Sequence, residues 1–110
     1  MATRKEIADD ILAKLGHPGR FDVRAMFGEY ALYSDGKVVA LICDNQLYVK
    51  IMPQSAALEE VCEKSEPYPG AKPYYLVEEH QLVQLRELPD VLLRMAAALP
   101  AKKVKKRRTS

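Results

Sequence analysis

The sequence predicts an α+β fold, a two-layer molecule in which an antiparallel sheet of about five strands, opening with a four-strand meander, is covered by helices. Three observations predict it. Apolar residues recur at helical spacing near both ends of the chain, the period falls to two between Phe21 and Ile51, and that middle region is punctuated by two-residue turn signals. Strands grouped into hairpins and segregated from helices favour an α+β layer over parallel βαβ winding.

Each element has a local reason. Thr3 followed by Glu6 reads as a capping box, and Ile7, Ile11, Leu12 and Leu15 then form one apolar stripe, so a helix is expected over residues 4–15, stopped by Gly16 and Pro18. From Phe21, Val23, Ala25 and Phe27 alternate with Asp22, Arg24 and Met26, as in a half-buried strand, and Gly28 interrupts them. A second strand over about 29–34 meets Asp35-Gly36, whose residues tolerate the positive φ of a type I′ hairpin turn. The return segment VVALIC, 38–43, is apolar throughout and should be buried on both faces. After Asp44-Asn45, Leu47, Val49 and Ile51 alternate with Gln46, Tyr48 and Lys50 in a fourth strand.

Beyond Pro53, Ala57, Leu58, Val61 and Cys62 suggest one face of a helix over about 54–64. EPYPGAKPYY, 66–75, holds three prolines and a glycine and reads as an irregular but stiff connection into a fifth strand at 74–78. Pro89 suits the first turn of a last helix, with Leu88, Leu92, Met95, Ala96 and Leu99 as its apolar stripe.

With 110 residues the chain is expected to form one domain, residues 1–100, with a core large enough to need no disulfide or metal. Its 48% hydrophobic and 29% charged residues match a soluble globular protein. The charge is unevenly spread. Six of the 17 basic residues fall in KKVKKRR, 102–108, which leaves 11 basic against 15 acidic residues, a body of about −4. Residues 101–110 are expected to be a disordered basic tail. The charged first fifteen residues do not read as a secretory signal, and no apolar run approaches the roughly twenty residues of a membrane span. Cys43 and Cys62, far apart and without CxxC spacing, suggest reduced thiols and a cytoplasmic protein with no membrane association.

The residues RAMFGEYALYSDGKVVALICDNQLYVK, followed by EPYPGAKPYY, closely resemble the TfoX N-terminal domain (TfoX/Sxy) family, above all its short single-domain members with lysine-rich tails. The likeness runs over roughly residues 4–100 and rests on the turn Met26-Phe27-Gly28, the hairpin Asp35-Gly36-Lys37, the segment 41–50 and the loop from Tyr68 to Tyr74. It implies a small two-layer domain with an antiparallel sheet, similar to type III secretion chaperones, and a non-enzymatic regulatory or interaction character. Longer members are regulators of natural competence that act with a transcription factor and carry a second, helical domain.

No catalytic residue, metal ligand or cofactor is expected. His17, His80, Cys43 and Cys62 lack chelating spacing; Glu59-Glu60 and Glu78-Glu79 are adjacent residues that point in different directions; and no nucleophile elbow or phosphate-cradling glycine run is present. The stiff loop is the candidate interaction site, because it presents Tyr68, Lys72, Tyr74 and Tyr75 at low entropic cost. Tyr30, Tyr33, Tyr48, Tyr68, Tyr74 and Tyr75 near Arg24, Lys50 and Lys72 could stack bases of single-stranded nucleic acid, but the favoured reading is that tyrosine suits a sheet edge, its ring buried and its hydroxyl wet. Lys102, Lys103, Lys105, Lys106, Arg107 and Arg108 are candidates for weak, sequence-independent nucleic-acid contact. The expected partner is an unidentified protein, and the expected state a monomer or homodimer.

Overall fold

The structure, a computed structural model, describes residues 3–100. Helix α1 (Lys5–Leu15) leads into strands β1 (Phe21–Met26), β2 (Glu29–Ser34), β3 (Lys37–Cys43) and β4 (Gln46–Val49). A 3₁₀ helix (Pro53–Leu58), strands β5 (Glu63–Ser65) and β6 (Tyr74–Val77), and helices α2 (Glu79–Gln84) and α3 (Leu88–Ala98) complete the fold. All six strands join one antiparallel sheet in the order β1-β2-β3-β4-β6-β5.

The α+β class and the four-strand meander hold, with six strands in place of about five. The extra strand lies where the periodicity predicts a helix over 54–64. Leu58 and Cys62 are indeed buried four residues apart, but Val61 is 49% exposed, so the expected face has too few anchors. The helical start stays a 3₁₀ helix, and Glu63–Ser65 pairs with the free side of β6, which satisfies its backbone groups better. The short helix α2 is also absent from the sequence expectation; a reciprocal bond pair between Glu78 and Gln81 starts it, with the Gln81 Oε1 accepting the Glu78 N–H at 2.9 Å.

Thr3 does not cap α1. The N-cap is Arg4, without a side-chain bond, and Thr3 is buried. Its hydroxyl donates to Glu29 Oε1 at 2.5 Å and accepts the Asn45 N–H at 3.1 Å, while its own N–H donates to the Gly28 carbonyl at 3.1 Å. Glu29 Oε1 in turn accepts the Asp44 N–H at 3.1 Å. A residue read as a local cap therefore ties the chain start across two hairpin turns.

One irregularity shapes β3. Leu32 pairs with Ala40 but Tyr33 pairs with Val38, so Val39 is an extra residue, a β-bulge. Its consequence is visible in burial: Val39 and Ala40, though adjacent, both join the helix-side core, and Val38 joins the opposite face. The shift also turns Lys37 toward α3, where its ammonium donates to the Ala96 and Leu99 carbonyls at 2.9 Å each and serves the helix C-terminus.

The core lies between the helices and one sheet face. Ala8, Ile11 and Leu15 of α1 and Val91, Leu92 and Met95 of α3 meet Leu32, Ile42, Leu47, Val49 and Val77. Burying each large apolar side chain contributes roughly 1.5–3 kcal/mol. Both sheet edges are blunted: on β1 the Asp22 carboxylate accepts the Val23 N–H at 2.9 Å, and β5 is three residues long with charged Glu63 and Lys64.

Two buried hydroxyls make opposite predictions. Ser34 Oγ is buried with no hydrogen-bond partner among the described residues, so Ser34→Ala should be neutral or stabilise by up to about 1 kcal/mol. Thr3→Val takes the hydroxyl away from one donor, the Asn45 N–H, and from the acceptor Glu29 Oε1, and should cost about 1–3 kcal/mol. Chemical denaturation of both variants checks the contrast, and equal effects would contradict the assignment of Thr3 as a tertiary tie.

Candidate interaction surface

The meander places successive turns at alternate ends of the sheet. At one end lie Phe27-Gly28, Asp44-Asn45 and the start of α1; at the other lie Asp35-Gly36, residues 50–52, the 66–73 loop and the end of α3. Helices cover only one face. The second face carries a buried apolar cluster of Ala31, Leu41, Cys43 and Tyr48, rimmed by half-exposed Met26, Tyr33, Val38, Tyr74 and Leu76. An antiparallel sheet face left to solvent is ordinarily polar. This one is polar only at its margins, where Arg24 stands 5.0 Å over the Tyr33 ring and within 3.5 Å of Asp22.

The stiff loop forms a second surface. Tyr68-Pro69-Gly70-Ala71 closes as a type II turn, with the Ala71 N–H donating to the Tyr68 carbonyl at 3.1 Å and Gly70 at φ +85°. Lys72 precedes Pro73 and is held extended by it. Between this loop, residues 50–52 and Leu99 lies an open groove of about 620 Å³, lined by Lys50, Tyr68, Lys72 and Tyr74 among others. Of the four loop residues expected at a site, Tyr68, Lys72 and Tyr74 meet there. Tyr75 does not: it is buried in the helix-side core, its hydroxyl donating to Glu59 at 2.8 Å. That bond, with Lys64 nearby, holds the Glu59 carboxyl below its ordinary range. The six basic tail candidates, Lys102 to Arg108, lie outside the described residues.

Sequence reasoning missed Phe27. Placed by alternation on the buried side of a strand, it sits instead in the two-residue turn, at φ +51° and 99% exposed. A bulky aromatic in the left-handed region is an outlier that costs on the order of 1 kcal/mol and gains no burial here. The signal available was Gly28: a glycine one residue after an aromatic can mark the second half of a type I′ turn.

The polar candidates for metal or redox chemistry are dispersed. Among the described residues no group of three or more His, Cys, Asp or Glu is placed to hold a metal ion. Cys43 and Cys62 are free and lie on opposite faces of the sheet, Cys43 in the open-face cluster and Cys62 in the helix-side core. Burial, with Glu29 and Asp44 nearby, pushes the Cys43 thiol up to about 11. Burial likewise raises Cys62, Tyr48 and Tyr74 above their ordinary values.

The TfoX N-terminal domain model matches residues 10–98. The chain belongs to the TfoX N-terminal domain family. It is also similar to a Spirochaeta aurantia protein described as an uncharacterized 12.7 kDa protein in the trpE 5′ region, 39% identical over 109 residues that cover 99% of this chain and 94% of the relative. The match to the TfoX domain spans α1 from Asp10 through α3, and thus includes the open face and the loop groove.

A thiol held in its protonated form is a poor nucleophile. Iodoacetamide at about pH 8 should leave Cys43 unmodified in the folded protein and alkylate it in denaturant. Mass spectrometry of the two samples checks this, and rapid labelling of the native protein would contradict the burial assigned to Cys43.

Proposed function

We propose that this TfoX N-terminal domain is a non-catalytic regulatory module of the cytoplasm that acts by binding another protein through the open face of its sheet. The observation that carries the reading is the composition of that face: Met26, Tyr33, Val38, Tyr74 and Leu76 ring an apolar cluster on the side the described helices leave uncovered. Large exposed apolar patches rimmed by polar residues mark contact surfaces. Arg24, with Asp22 beside it, supplies such a rim. Most titratable groups form exposed pairs such as Lys5–Asp9 and Arg20–Asp35, and where Lys14, Glu78, Glu79 and His80 do share one groove all four residues are exposed at its surface, which supports a binding role over a catalytic one. No described helix is long and apolar enough to cross a membrane. The regulatory part of the proposal rests on the likeness to longer members that control competence.

Site-specific photocrosslinking tests it. A photoreactive phenylalanine at Met26 should capture one discrete protein partner in cells, and the same group at Val83 on α2 should not. Met26→Glu combined with Leu76→Glu should abolish capture by a crosslinker at Val38, on the same face, while the melting temperature shows the domain still folded. Equal capture from positions 26 and 83, or capture indifferent to the double substitution, would remove the open face as the interface.

A further inference from the structure

We infer that the groove between the end of β4, the 66–73 loop and the end of α3 binds single-stranded nucleic acid, with a phosphodiester held between Lys50 and Lys72 and a base stacked on Tyr68. Charge is the first argument. Lys50 and Lys72 line one groove, no carboxylate lines it with them, and neither makes an ion pair among the described residues. This is uncommon on a body that carries 15 acidic residues against 11 basic ones before the tail. Lys50 also lines the adjoining groove with Pro100 and with Lys37, whose ammonium is held by the Ala96 and Leu99 carbonyls, and Pro100 directly precedes the sequence segment that carries six basic residues. A polyanion matches such a track better than a small anion does.

The aromatic side chains decide between forms of polyanion. Tyr68 is 54% exposed and Tyr74 half-exposed, and both line the same groove as the lysines. A duplex offers phosphates but keeps its base faces stacked inside, whereas a single strand can lay a base on an exposed ring, worth roughly 1–3 kcal/mol per base. The volume of about 620 Å³ lies within the roughly 300–1,000 Å³ of ligand clefts.

Pre-organisation is the third argument. The proline-glycine turn fixes Tyr68 relative to Lys72. On the other wall the buried Ser55 hydroxyl donates to the Lys50 carbonyl at 2.7 Å and accepts the Met52 N–H at 3.0 Å, while the Lys50 N–H donates to Val39 at 3.1 Å. The backbone from which Lys50 projects is therefore set before any ligand arrives, and little ordering entropy is lost on binding.

Fluorescence anisotropy of the full chain with a labelled oligothymidine of about 15 nucleotides, over a salt series, tests the inference. Lys50→Ala with Lys72→Ala should weaken binding and lower the slope of log affinity against log salt by about 0.7, one single-strand phosphate contact's worth. Tyr68→Ala should weaken binding about tenfold with the slope unchanged, and Tyr68→Phe should restore it. Changing the six tail basic residues to glutamine in the full chain should lower affinity yet keep its dependence on Tyr68. Absence of binding by the native chain, equal binding of duplex, competition by inorganic polyphosphate as effective as by the oligonucleotide, or groove variants that bind like the native chain would each overturn it. Melting temperatures confirm that the variants fold. Because Met26 and Leu76 do not line the groove, failure here leaves the open-face reading standing, and the reverse also holds.

Discussion

Strand register is the constraint on which the rest of this structure depends. Side chains in a strand alternate with a period of two, so a slip of one residue would exchange the two faces of the sheet. Three two-residue turns prevent it. Phe27-Gly28, Asp35-Gly36 and Asp44-Asn45 all hold both central residues at positive φ, between 51° and 83°, the geometry that closes a hairpin without splaying its twisted strands. The bulge at Val39 then makes a single deliberate shift, placing two adjacent apolar residues under the helices and aiming Lys37 at the end of α3.

The departures from ordinary packing gather at the two ends and on the open face. Phe27 adopts a backbone conformation unsuited to it and gains no burial, and Lys50 and Lys72 share a groove without a counter-charge. A fold otherwise satisfied in its polar groups, with Ser34 the exception among its described buried side chains, has no folding reason for these features. That is the physical basis for reading them as surfaces made for something else. Tyr74 belongs to both the groove and the rim of the open-face cluster, so a partner protein and a nucleic acid would meet at this one side chain.

The polar interior works by long-range ties more than by local caps. Thr3, Glu29, Asp44 and Asn45 are spread over the first 45 residues, yet one hydroxyl and one carboxylate oxygen join them. Lys37 likewise reaches across 59 residues to Ala96. These contacts link the chain start and the last helix to the central hairpin. They hold the helical layer against one face only and leave the other available.

By itself the sequence determined the α+β class, the meander with its turns, α1, α3 and the stiffness of the 66–73 loop, because each is written in contacts between residues a few positions apart: alternation, helical spacing, Asp-Gly, Pro-Gly. Tertiary structure alone decided the rest. Thr3 left its local capping role because a half-buried carboxylate at Glu29 offered a stronger partner; residues 63–65 became a strand because β6 had an unpaired edge; Tyr75 and Tyr74, neighbours in one loop motif, parted to opposite faces because the strand they enter alternates. The groove of Lys50 and Lys72 joins residues 22 positions apart, and no local pattern encodes that meeting. It exists only once antiparallel pairing of β4 with β6 brings the two ends together.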